Sequence, residues 1–182
     1  NFGGFPDRPQ GSFNLQIYAD SACSASFTGY KNDMPSGPAY SRGQDVVFAD
    51  DIQLVSGGCN LIGYEVAVQG LGFYTFDLRL TCNGAAIPGT ERTFTGSGTD
   101  VKIARLIVNP PVALPQNLWF SAKIGSPQGR VVIAGQQACI GATDERIGYV
   151  QDNVCNDVPA GDIGIGIHGA FSLTITCAGP AP

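Results

Sequence analysis

The chain contains one histidine, His168, so imidazole-based acid–base or nucleophilic chemistry would have to be built on that residue alone. It sits in Gly164-Ile165-Gly166-Ile167-His168-Gly169, which matches the G-x-G-x-x-G pattern of a dinucleotide-binding turn. That turn must open a helix, whereas the 13 residues that follow alternate as a strand, so the segment reads as a strand thinned by glycines. No G-x-S-x-G elbow is present to expose a nucleophilic serine, and phase puts His168 on the outer face of the last strand. Carboxylates gather at Asp45, Asp50 and Asp51, at Asp144 and Glu145, and at Asp152, Asp157 and Asp162. Glycoside hydrolysis needs two carboxyls facing across a cleft, and nothing in the spacing sets such a pair. Calcium suits loop carboxylates and carbonyls better, with Asp20, Asp50 and Asp51 as its candidate ligands. Asp50 and Asp51 are adjacent in a strand, so they point to opposite faces and only one can serve a given site. Trp119 alternates outward relative to Leu118 and Phe120, which makes it the candidate stacking platform for a sugar or a contact to a neighbouring subunit. Tyr18, Tyr30 and Tyr40 are further aromatic candidates.

Six cysteines, Cys23, Cys59, Cys82, Cys139, Cys155 and Cys177, show no C-x-x-C and no zinc-ligand spacing. An even, scattered set reads as disulfides of an oxidising compartment. Fifteen connectivities are open to six cysteines. The preferred one pairs Cys59 with Cys82 across a candidate hairpin and Cys155 with Cys177 across the last one, leaving Cys23–Cys139. The opening at Asn1 reads as a processed, secreted chain that acts outside the cell or at its surface.

These residues must be carried by strands. Charged residues are 14% of the chain, against roughly 25% in an average domain. Gly (25) and Pro (12) are enriched, and 43% apolar content supports a sizeable core. A net charge of −5 without a Lys/Arg run excludes nucleic-acid binding through a basic surface. No apolar stretch approaches the 18 residues of a membrane span. Period-two alternation runs through 13–17, 46–55, 62–68, 74–80, 101–108, 117–124, 130–134 and 165–177. Ser56-Gly57-Gly58, Cys82-Asn83-Gly84, Pro88-Gly89, Asn109-Pro110-Pro111 and 126–129 punctuate them as turns. The pattern predicts one all-β domain over 12–182, an antiparallel sandwich with loops at 19–45 and 136–162, preceded by an extended arm over 1–11.

On the last strand the outward set Ser172, Thr174 and Thr176 carries no charge, and neither do Ser12, Asn14, Gln16 and Tyr18 on the first. Solitary domains guard such strands with Lys or Glu. The bare faces, with Phe2 and Phe5 on the arm as apolar anchors, therefore predict association with copies of the same chain.

Phe48-Ala49-Asp50-Asp51-Ile52-Gln53-Leu54, Gly57-Gly58-Cys59-Asn60-Leu61-Ile62 and Tyr64-Glu65-Val66 carry a resemblance. It continues through Ile87-Pro88-Gly89-Thr90, Leu114-Pro115, Asn117-Leu118-Trp119 and Val132-Ile133-Ala134-Gly135. Over roughly 46–135 the chain resembles secreted bacterial jelly-roll domains. The resemblance implies a jelly-roll sandwich acting as a surface or matrix protein, without enzymatic residues to carry over. The expected function is a non-enzymatic extracellular structural protein that self-associates into a filament or surface layer, with a calcium-dependent polysaccharide-binding module as the alternative.

Overall fold

The computed structural model describes residues 25–32, 39–40, 45–134, 138–143, 147–157 and 170–179. Phe2, Phe5, Asp20, Cys23, His168 and the strand expected at 13–17 lie outside them. Eleven strands and no helix are found among the described residues: β1 (Ser26–Asn32), β2 (Ala39–Tyr40), β3 (Val47–Gln69), β4 (Gly72–Arg79), β5 (Arg92–Gly96), β6 (Val101–Ile124), β7 (Arg130–Ala134), β8 (Ile147–Gln151), β9 (Val154–Asp157), β10 (Ala170–Phe171) and β11 (Leu173–Ala178). All pairings are antiparallel, in the main order β1-β11-β3-β6-β4-β5.

β3 and β6 form a single long ribbon. Four residues of β3 (54–57) face only Gln116, and further along Ile62 alone faces four residues of β6 (108–111). The two insertions cancel, so the register after the second equals the register before the first. The expected turns Ser56-Gly57-Gly58 and Asn109-Pro110-Pro111 are thus bulges inside continuous strands. Gly57 and Gly58 have φ of 76° and 115°, and a Cβ on Gly58 would lie 2.4 Å from the Leu114 carbonyl oxygen, so the bend needs glycine there.

Bulges bend strands, and here the ribbon doubles back. Tyr64 is 14 residues from Asp50, the β3 partner of Phe120, which is roughly 46 Å of extended chain. Yet the Tyr64 and Phe120 rings lie edge to face with centroids 5.9 Å apart, and the Tyr64 hydroxyl donates to the carbonyl oxygens of Phe76 and Thr90. One layer therefore holds β1, β11 and the inner ends of the ribbon (61–69, 101–112). The other holds its outer ends (47–53, 117–124) with β4, β5, β8 and β9. Phe48, Tyr64, Phe76, Phe120, Phe171 and Ile175 fill one apolar core between them. The arrangement bears out an all-β antiparallel fold and is consistent with a jelly-roll sandwich.

Two expected loops contain strands. β1 escapes the period-two rule because its register shifts between Thr28 and Tyr30, which places Phe27 and Tyr30 out of alternation. β8 forms by pairing with the outer end of β3 and with β9. The disulfides also differ from the preferred pairing, being Cys59–Cys177 and Cys82–Cys155 rather than Cys59–Cys82 and Cys155–Cys177. The reason lies in the strand order: β6 lies between β3 and β4, so the hairpin expected between Cys59 and Cys82 does not form, and Cys59 sits on β3 beside β11, where Cys177 pairs with Leu61. The turn after β4 instead meets the β8–β9 hairpin, where Asn83 Nδ2 also donates to the Asn153 carbonyl oxygen at 2.6 Å. Cys139 is exposed and has no disulfide partner among the described residues.

Candidate functional site

Three arrangements bear on function: a buried polar knot, a groove over one layer and an apolar row on the other. The knot is built on Asp50. Its neighbours Phe48 and Ile52 share the inward phase, so alternation takes its carboxylate into the core, where the residue is fully buried. Oδ1 accepts from the Thr143 hydroxyl and Oδ2 from the Phe171 backbone N–H, each at 3.0 Å. Tyr30 is also fully buried nearby. Burial pushes its phenol well above the ordinary value of 10.0, and the Asp50 charge pushes it further. Asn32 and Thr143 lie close enough to ease that effect, without reaching hydrogen-bond geometry at the Tyr30 hydroxyl. Asp50 thereby anchors β10 and the 138–143 segment to β3. Tyr30, expected as an exposed aromatic, is a core residue instead.

Asp51 points the other way, as the strand phase requires, and lies across from Trp119. No cluster of three or more His, Cys, Asp or Glu side chains suited to a metal is found among the described residues. Asp50 and Asp51 are thus placed apart, one in the knot and one beside the groove.

The groove, of about 380 Å³, lies where the 138–143 segment runs beside the outer ends of β3 and β6. Gln53 and Ala142 exchange two backbone hydrogen bonds of 2.7 and 3.0 Å, which fixes that wall. Half-buried Trp119 and 64%-exposed Leu80 supply apolar surface. Asp51, Gln53 and Asn117 supply polar groups, and Gln53 Nε2 donates to Asn117 Oδ1 at 3.1 Å. The outward phase of Trp119 was legible in the sequence. Its companions were not, since Gln53 and Asn117 are 64 residues apart and local sequence does not encode which distant strands pair.

The third arrangement replaces the expected one. β11 is flanked by β1 and β3 rather than lying at an edge, and Ser172 is 3% exposed, with its N–H donating to the Val132 carbonyl oxygen and its own carbonyl oxygen accepting from Ala67. Thr174 and Thr176 are half-buried, and Thr174 lies between Lys31 and Glu65 in one cross-strand row, so the face is not devoid of charge. The bare surface is on β6. Val101, Ile103 and Ile107 are 45, 47 and 79% exposed on the side opposite the buried Ala104, Leu106 and Val108. Arg105 interrupts the row but is held by Glu65 at 3.0 Å. Over 101–108 β3 is the only strand paired with β6 among the described residues, because β4 joins β6 only from Trp119 to Ile124. Arg92 Nε caps the far end of this edge by donating to the Ile107 carbonyl oxygen at 2.8 Å. A signal for this row was present: Val101, Ile103 and Ile107 put apolar residues on the phase opposite Ala104, Leu106 and Val108.

Comparison with protein-family models, with curated proteins and with solved structures finds no match for this chain. The two disulfides suit an oxidising compartment, and no helix among the described residues is long and apolar enough to cross a membrane.

Proposed function

We propose that this chain is a non-enzymatic extracellular structural protein that associates with copies of itself. The observation that carries the reading is the row of Val101, Ile103 and Ile107 along the one-sided edge of β6. An edge strand with apolar side chains is a template for another chain, and soluble proteins ordinarily guard it. Burying an exposed Ile contributes roughly 1.5–3 kcal/mol, so the row can support an interface once backbone pairing is added. The arm over 1–11, with Phe2 and Phe5, is the donor in this reading, and the β6 edge is its receiver in the neighbouring copy. The buried carboxylates fit a structural role, since Asp50 anchors backbone and Asp77 pairs with Arg79 at 2.6 Å.

The test is the size of the full chain by light scattering and negative-stain microscopy. Assemblies should form in the wild type and disappear in I103K and I107K, whose circular dichroism should match the parent because both sites are exposed. Deleting residues 1–11 should likewise give folded monomers. A wild type that stays monomeric at high concentration overturns the proposal, as do lysine variants that assemble normally.

A further inference from the structure

We propose that the groove over Trp119 binds a neutral pyranose unit of a polysaccharide. The apolar part of the argument is the pairing of half-buried Trp119 with exposed Leu80. A sugar ring has one face of C–H groups, and an indole both packs against it and carries the negative π-face that favours such contacts.

The polar part is more specific. Gln53 Nε2 donates to Asn117 Oδ1, and this bond leaves Asn117 Nδ2 as donor and Gln53 Oε1 as acceptor on exposed side chains. Reversing both amides would again leave one donor and one acceptor. Adjacent sugar hydroxyls both donate and accept, so two neighbouring hydroxyls match this pair. Asp51, opposite Trp119, adds a polar group to the lining. The net charge of −5 on the chain disfavours an anionic glycan. A volume of about 380 Å³ lies within the roughly 300–1,000 Å³ of ligand sites. The wall does not depend on a ligand to form, because backbone bonds between Gln53 and Ala142 hold it. The groove lies on the layer opposite the β6 row, so this proposal stands independently of self-association.

Trp119 is the only tryptophan, so its emission reports on the groove directly. The full chain is titrated with cellohexaose, xylohexaose, chitohexaose and maltohexaose, and with oligogalacturonate as the anionic comparison. At least one neutral hexaose should give a saturable emission shift, and oligogalacturonate none. Calorimetry with the responding hexaose should show about tenfold weaker binding for W119A and about fivefold for N117A, which keeps the fold because Asn117 is exposed. I107K should bind like the wild type, which separates failure here from failure of self-association. The proposal is overturned if no neutral hexaose shifts the emission at millimolar concentration, if oligogalacturonate binds preferentially, or if N117A and W119A bind like the wild type.

Discussion

Asp50→Ala tests whether the buried knot holds the 138–143 segment and β10 against β3. The carboxylate accepts two hydrogen bonds of 3.0 Å, from the Thr143 hydroxyl and the Phe171 N–H. Hydrogen bonds to a charged group contribute roughly 1.5–3 kcal/mol each, and stranding a buried donor costs roughly 1–3 kcal/mol. Phe171 is fully buried, so water cannot replace the lost acceptor for its N–H. Since these contributions overlap, the expected loss is about 3–5 kcal/mol, near that of breaking a buried ion pair from one side. For a chain of this size that lowers Tm by roughly 6–20 °C. Asp50→Asn keeps one acceptor in the same volume and should cost about half as much. Thr143→Val removes the hydroxyl bond to Asp50 and should cost about 1–2 kcal/mol. The assay is thermal and urea unfolding of the three variants and the D50A/T143V double variant. The two single effects should fail to add, because they share one hydrogen bond. A Tm for D50A within 2 °C of the parent, or strict additivity in the double variant, would refute the reasoning.

Alkali should unfold the chain through Tyr30 and Tyr64. Burial raises both phenols above their ordinary 10.0, so the folded state holds these protons more tightly than the unfolded state does. Their contribution is complete below pH 10 and is lost as pH rises beyond it, at about 2.7 kcal/mol per pH unit for the pair. Phenolate absorbance from these two residues should appear together with loss of circular dichroism, and reversible ionisation in a folded chain would count against it. Cys82→Ser with Cys155→Ser opens a link across 73 residues and should cost about 2–4 kcal/mol, read by urea unfolding. Non-reducing peptide mapping of the wild type should recover Cys59–Cys177 and Cys82–Cys155, and a Cys59–Cys82 peptide would contradict the structure.

Strand phase was legible in the sequence wherever pairing stays regular. Leu118 and Phe120 face in and Trp119 faces out, and Asp50 and Asp51 part to opposite sides, as alternation requires. It failed where a bulge changes the count. Gly57-Gly58 and Pro110-Pro111 carry the signature of turns, yet here they bend strands that continue. Whether such a dipeptide ends a strand depends on the partner across the ladder, which local sequence does not encode. The disulfide expectation failed for another reason: it rests on a hairpin between Cys59 and Cys82, which does not form because β6 lies between β3 and β4. β1 was hidden because Gly29 sits at its register shift, where a Cβ would lie 2.6 Å from Cys177 Sγ.

The doubled ribbon also determines how the two proposed surfaces relate. The groove lies on the outer side of the β3–β6 end formed by 47–53 and 117–124. The Val101–Ile107 row lies on the outer side of the other end, and the core fills the space between. Their outward faces therefore point in opposite directions. Copies joined along the β6 edge would keep Trp119 facing away from the joint, repeated once per copy. Repetition matters for a weak sugar contact, because linked sites raise the effective concentration of each for a polymer that spans them. An assembled form should then bind polysaccharide much more tightly than I107K monomers, while both bind a soluble hexaose equally. Equal retention of assembled and monomeric protein on the insoluble polymer would show that the groove is covered in the assembly or that the two surfaces do not cooperate.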